Sequence, residues 1–277
     1  MRTWVLVAVA AWGGVAAEAM TAVRQTDISE DTTWGLNGSP YYIYGDLYVV
    51  NGATLTILAG VEVRFVEIHG EGGYEDGAEL VIRNGALETH GTTGMPVLFT
   101  SANESKEKGD WGAIVVENSN QCLLDGAVVE FAKNGLRLYY VTATGASRSS
   151  TEGTIIRWSL YNGVLAYYST AHLYHITLEE NDYAGIKTVG NCSVSARNSD
   201  LCHNGMYNFY NAAPGNVDAA DCWWGTTSPG LIELRIYDKH DNPSCGAVDY
   251  TPYLSAPWRE GGNIPTYSLG FLKTAFR

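Results

Sequence analysis

The sequence predicts an all-β solenoid, one chain wound into stacked coils whose short strands pair in parallel. Three observations carry that reading. An apolar residue followed closely by Asn and Gly recurs in FAKNGL (Phe131–Leu136), LYNGV (Leu160–Val164), LEENDYAGI (Leu178–Ile186) and LCHNGM (Leu201–Met206), and from Gly135 through Gly163 and Gly185 to Gly205 the steps are 28, 22 and 20 residues. Between these anchors lie β-like runs such as Ala127–Phe131, Thr154–Trp158, Leu173–Leu178 and Cys192–Ala196, bounded by Gly, Asn, Asp and Ser. The 277 residues include 31 Gly and 18 Tyr, a balance that favours strands and turns over helices. A unit of roughly 20 residues cannot bury its own apolar face, so neighbouring units must stack into one continuous core.

The elements follow in chain order. Residues 1–19 read as a secretory leader: Arg2, an apolar run from Trp4 to Val15, and a small-x-small site at Ala17-Glu18-Ala19. That run is too short to cross a roughly 30 Å hydrocarbon core as a helix, and no later segment is longer. The expectation is a protein without a membrane span, exported to the extracellular space or cell surface, with the periplasm also open. Residues 20–257 read as one solenoid domain and 258–277 as a Gly-rich tail. In the first half, Tyr44–Phe65, Ala78–Ser101 and Trp111–Phe131 each alternate apolar and polar residues across turns. His69–Ala78, Ser101–Asp110 and Thr142–Gly153 read as loops thrown out between coils.

Leu136, Val164, Ile186 and Met206, each following an anchoring Gly, are expected to form an inward aliphatic column. Asn134, Asn162, Asn181 and Asn204 are expected to form a column of their own, with side-chain amides bonding from coil to coil about 4.8 Å apart. LIELRI (Leu231–Ile236) has helical spacing and reads as a short helix across the open end. DCWWGTTSP (Asp221–Pro229) reads as the terminal coil, with Trp223 or Trp224 plugging the core and Gly225 and Pro229 ending the winding.

TTWGLNGSPYYIYGDLYVVNGATLTILAGVEVRF (Thr32–Phe65) resembles the opening coils of right-handed parallel β-helix proteins of the pectin-lyase-like superfamily, and Asp221–Pro257 resembles their closing segment. The resemblance spans roughly Thr32 to Pro257. It implies a right-handed parallel β-helix with an N-terminal cap and a C-terminal closing segment. For activity it implies either a Ca²⁺-dependent polysaccharide lyase acting on acidic glycans or a non-catalytic adhesive rod, so function has to be argued from a site.

The net charge of −13 and the lack of any basic stripe exclude a nucleic-acid partner; a polysaccharide or a cell-surface component is the expected one. For a lyase, the residues that come nearest are Asp182, Lys187 and Asp200, with Glu179, Glu180 and Asp182 as oxygen donors for Ca²⁺. For a binding rod, Tyr139, Tyr167 and Phe209 align as one column that alternation points outward, beside a column of Tyr140, Tyr168 and Tyr210; flat rings on an outward face stack on sugars. Five cysteines in an exported chain form at most two disulfides. Aligning Gly205 with Gly225 puts Cys202 and Cys222 one coil apart and predicts a bond between them, with Cys222–Cys245 as the competing pair.

Overall fold

The structure is a computed structural model that describes residues 6–7, 20–24, 27–66, 77–119, 121–142, 144–146 and 153–258. The chain visits three sides in strict rotation. Two sides are nine-stranded sheets, and the third is a four-stranded sheet continued by a five-stranded one. The fold is a parallel β-helix. Sheet 1 holds Tyr41–Ile43, Glu62–Phe65, Val97–Ser101, Ala127–Glu130, Thr154–Arg157, Ile176–Glu179 and Asp200–Cys202; sheet 2 holds Leu47–Val49, Leu80–Arg83, Ile114–Glu117, Leu136–Tyr139, Asn162–Tyr167, Ala184–Val189, Tyr207–Ala212 and Ile236–Tyr237. Among the described residues, every pairing is parallel except that of Leu6–Val7 with Thr21–Ala22 and the isolated bridge from Thr92 to Met95. Leu6 and Val7 are the only residues of the predicted leader that are described, and all of the tail but Trp258 lies outside the described residues.

The core is built from columns. Leu47, Leu80, Ile114, Leu136, Val164, Ile186, Phe209 and Ile236 align along sheet 2, and all are buried. Tyr41, Val63, Phe99, Val129, Ile156, Leu178 and Leu201 do the same along sheet 1. Each fully buried aliphatic side chain contributes about 1.5–3 kcal/mol. No single coil could collect enough of that alone. Cys122 lies in the third side's column with Leu55 and Leu87, and complete burial pushes its thiol up to about 12.

One register difference corrects several expectations together. Phe209, not Met206, follows Ile186 in the core column, and Met206 is 54% exposed. The last full coil is therefore longer than the glycine count suggests: Asn181 and Asn204, like Thr188 and Asn211, are 23 residues apart. The same slip moves the cysteines. Trp223 bridges to Asp200, so the neighbour of Cys202 on the next coil is Gly225, whose absent Cβ would lie 3.2 Å from the Cys202 Cβ. Cys222 falls three positions earlier, donating to the Ala196 carbonyl at 3.3 Å. All five cysteines are free and buried, so neither Cys202–Cys222 nor Cys222–Cys245 is bonded.

The asparagines form two ladders rather than one. Asn162 Nδ2 donates to Asn134 Oδ1 at 2.8 Å, and a second run goes from Asn181 to Asn204 at 2.9 Å and on to Asn208 at 3.2 Å. Asn162 faces Ala184 on the next coil, which separates the two. Within the segment expected as a loop, Thr144–Ala146 is a strand paired with Ala171–Leu173.

The helix spans Pro229–Glu233, earlier than predicted, and Ile232 is its one buried residue. Ile236 joins sheet 2 instead, opposite Phe209. Trp224, 2% exposed, continues the Leu201 column as expected of a core plug. Winding nevertheless goes on past Pro229, because Ile236–Tyr237 and Val248–Asp249 each add a strand. Trp258 packs on the domain, stacking on His175 at 4.8 Å and donating its backbone N–H to Asp200.

Candidate functional site on the outer face of sheet 2

Because side chains alternate along a strand, every residue between two core positions of sheet 2 points outward. Register then assembles two outer columns. One runs Tyr48, Val81, Val115, Arg137, Leu165, Lys187, Tyr210, Tyr237; the other runs Arg83, Glu117, Tyr139, Tyr167, Val189.

The N-terminal half of this face is a locked polar network. Arg137 Nη1 donates to Glu79 Oε1 at 2.6 Å, and the two side chains are 1% and 0% exposed. The partners lie 58 residues apart, two coils away from each other. Small residues make that reach possible: Ala113 and Val115 stand between them, and a Cβ on Gly112 would come 2.5 Å from Glu79 Cγ. Arg137 Nη2 also donates to the Tyr139 hydroxyl at 3.0 Å. Arg83 pairs with Glu117 through Nε and Nη2 at 2.9 and 2.8 Å and lies over the Tyr48 ring. Tyr48 donates to Asp46, which also receives the Glu79 backbone N–H. Burial raises the Asp46 carboxyl above its ordinary value.

The C-terminal half is aromatic. Tyr139 and Tyr167 stack at 5.8 Å, while Tyr140 and Tyr168 stack at 5.7 Å with an interplanar angle of 11°. The second pair is the exposed one, at 59% and 50%. Its backbone is the more informative feature. The corner that leaves sheet 2 requires a left-handed residue on successive coils, filled by Asn51, Asn84, Asn118, Tyr140, Tyr168 and Gly190 with φ of 60°, 52°, 50°, 54°, 47° and 75°. Asn and Gly tolerate that conformation, whereas a bulky side chain there is an outlier costing of order 1–3 kcal/mol. Two coils thus place a strained tyrosine where the chain elsewhere uses an easy residue. Gly190 completes the ladder: a Cβ there would sit 2.6 Å from the Tyr168 ring, so the ring lies across the glycine.

Of the predicted binding column, Tyr139 and Tyr167 face outward and are half-buried, but Phe209 is 0% exposed and belongs to the core. The three-residue register slip is the reason. Tyr210 likewise leaves the Tyr140–Tyr168 column and joins Lys187.

The predicted acidic cluster is distributed. Glu179 is on sheet 1 between Arg157 and Cys202. Glu180, at the following corner, accepts from Trp158 Nε1 at 2.6 Å. Asp182 pairs with Lys108 at 2.5 Å. Asp200, 2% exposed, accepts from the Trp258 backbone N–H at 2.7 Å and from Thr177 at 3.3 Å. Lys187 is on sheet 2, where its Nζ lies 4.9 Å from the Tyr183 ring centroid and 5.2 Å from that of Tyr210. The structure does not bring Asp182, Lys187 and Asp200 into one site. Among the described residues, no three His, Cys, Asp or Glu side chains are grouped to hold a metal ion.

A family model described as a pectate-lyase like beta helix domain matches residues 26–132. The similarity covers the first part of the β-helix and not the chain as a whole. The matched part of the β-helix carries Asp46, Tyr48, Glu79, Arg83 and Glu117 and ends before Arg137, the tyrosine ladder and Lys187. Neither the curated proteins nor the solved structures compared with the chain include a match. No helix among the described residues is long and apolar enough to cross a membrane.

Sequence reasoning missed the Arg137–Glu79 pair because the partners are 58 residues apart and meet only once the coils are in register. Arg137 was still visible as a lone charge in the run Leu-Arg-Leu-Tyr. It also missed the importance of the corner tyrosines. The signal there was the recurrence of Asn two residues after the last inward strand residue, at Val49, Ile82 and Val116, broken at Tyr140 and Tyr168.

Proposed function

We propose that the protein is an exported, non-catalytic β-helix that binds carbohydrate through the tyrosine ladder at the C-terminal half of sheet 2. The observation that carries this reading is the exposed, parallel Tyr140–Tyr168 stack, held in a left-handed conformation where other coils use Asn or Gly. Strained residues that persist in a structure cluster at ligand-contacting sites. A flat phenol presents both an apolar face for a sugar ring and a hydroxyl for its polar edge. The pectate-lyase-like character of residues 26–132 supports a glycan as the ligand class.

A lyase needs its base and its charge-stabilising groups around one substrate position. Here Lys187, Asp182 and Asp200 have separate surroundings, and the Arg137 guanidinium is enclosed with Glu79. These placements favour binding over turnover. Two assays test the proposal: retention of the protein on a panel of immobilised polysaccharides, and unsaturated-uronide absorbance on acidic polysaccharides with and without Ca²⁺. Retention without absorbance is expected. Appearance of the uronide signal would overturn the non-catalytic reading, and absence of retention on every glycan would overturn the binding one.

A further inference from the structure

Lys187 is a cation placed among rings. Its ammonium lies over Tyr183 and Tyr210. Tyr210 stacks flat on Tyr237 at 4.2 Å with an interplanar angle of 3°, and Tyr207 meets both edge-on at 5.2 and 5.9 Å. The Tyr210 ring also lies 5.6 Å from that of Tyr183. All of these residues are half-buried, and Leu165 and Tyr210 flank Lys187 along its column.

The chain carries 30 acidic residues against 17 Lys and Arg, yet none of the described carboxylates forms an ion pair with Lys187. Arg83, Lys108, Arg137 and Arg157 each have one. A partly desolvated charge without a counter-ion is unfavourable, and ring faces recover only part of that loss. Burial correspondingly holds the ammonium below its usual range. What this arrangement lacks is an anion, and it holds side chains able to donate to one: an ammonium over a cluster of tyrosines.

We propose that Lys187, with the hydroxyls of Tyr183, Tyr207, Tyr210 and Tyr237, is a receptor for a single oxyanion group, a carboxylate, sulfate or phosphate carried on the ligand. The inference deepens the carbohydrate reading and rests on it for the molecule that bears the anion. The receptor and the exposed ladder are separate features of one face: Tyr140 and Tyr168 supply stacking, and Lys187 supplies selection by charge.

The test is calorimetric titration of the full chain with sodium sulfate, sodium phosphate and a methyl glucuronide, at constant ionic strength set by sodium chloride, with methyl glucoside as the neutral control. Saturable binding is expected in at least one anionic arm and not with the glucoside. The arm that responds identifies the source of the oxyanion. Lys187→Met should weaken that binding at least tenfold, and Lys187→Arg should retain part of it. Thermal midpoints of the variants confirm that they fold. Equal binding by folded Lys187→Met, or no anionic binding by the parent, overturns the receptor. The two readings fail separately: glycan retention lost in the Tyr140/Tyr168 variant without anion binding removes only the receptor, whereas anion binding without retention on any glycan removes only the ladder's role.

Discussion

Removing Glu79 strands the Arg137 guanidinium inside the outer face of sheet 2. The two side chains are 0% and 1% exposed and meet at 2.6 Å. Breaking a buried pair by deleting one partner costs about 3–5 kcal/mol, because the remaining charge keeps its desolvation and loses its compensation. Glu79→Ala should therefore lose about that much, a large share of the 5–15 kcal/mol by which domains are typically stable. Glu117→Ala provides an internal comparison. It removes a 2.8 Å pair whose partners are 40% and 17% exposed, where about 0–1 kcal/mol is expected. Urea titration followed by tryptophan fluorescence reads both. A third variant, Glu79→Leu with Arg137→Met, removes both charges and should recover most of the loss. If Glu79→Ala and Glu117→Ala shift the urea midpoint equally, the burial argument is wrong.

Further outcomes follow from the register and the titrating groups. Phe209→Ala should cost about 3–5 kcal/mol as a core truncation; a near-neutral urea midpoint would return Phe209 to the surface, where the glycine count had put it. Asp46 has its carboxyl raised by burial, so the folded state holds that proton more tightly than the unfolded chain does. Its contribution is full below the unfolded value of 3.8 and fades as pH rises through the folded value; Asp46→Asn should therefore steepen the acid limb of stability against pH, and an unchanged limb contradicts the cause assigned. Peptide mapping without reductant should recover all five cysteines as free thiols, with a linked Cys202–Cys222 peptide the adverse result. Gly190→Ala should displace the Tyr168 ring and reduce glycan retention at a stability cost of roughly 1 kcal/mol; full retention would separate that ring from binding.

The fold was legible in the sequence because each coil repeats its own alternation. Leu136, Val164 and Ile186 align in the core as their glycines suggest. The alignment failed at Gly205, where the chain inserts three residues before Phe209 takes the core position, and a glycine turn looks the same whether or not it is followed at once by a strand. The cysteine pairing and the place of Phe209 failed from that one slip. The site was legible in kind but not in position. Tyrosines were visible as columns, yet exposure depends on which residue turns the corner, and the left-handed conformation of Tyr140 and Tyr168 has no local signal beyond the Asn residues it replaces. Contacts across two coils, such as Arg137 with Glu79, depend on the cumulative register and are hidden until every coil is placed.

The most direct measurement of the central claim is the affinity of the parent and of Tyr140→Asn/Tyr168→Asn for the polysaccharide that retains the parent best. Asn is the residue this chain itself uses at the same corner, at Asn51, Asn84 and Asn118, so the substitution removes the rings while keeping the backbone. The ladder account predicts affinity lowered at least tenfold with the thermal midpoint unchanged or raised. Undiminished affinity in a folded double variant would contradict it.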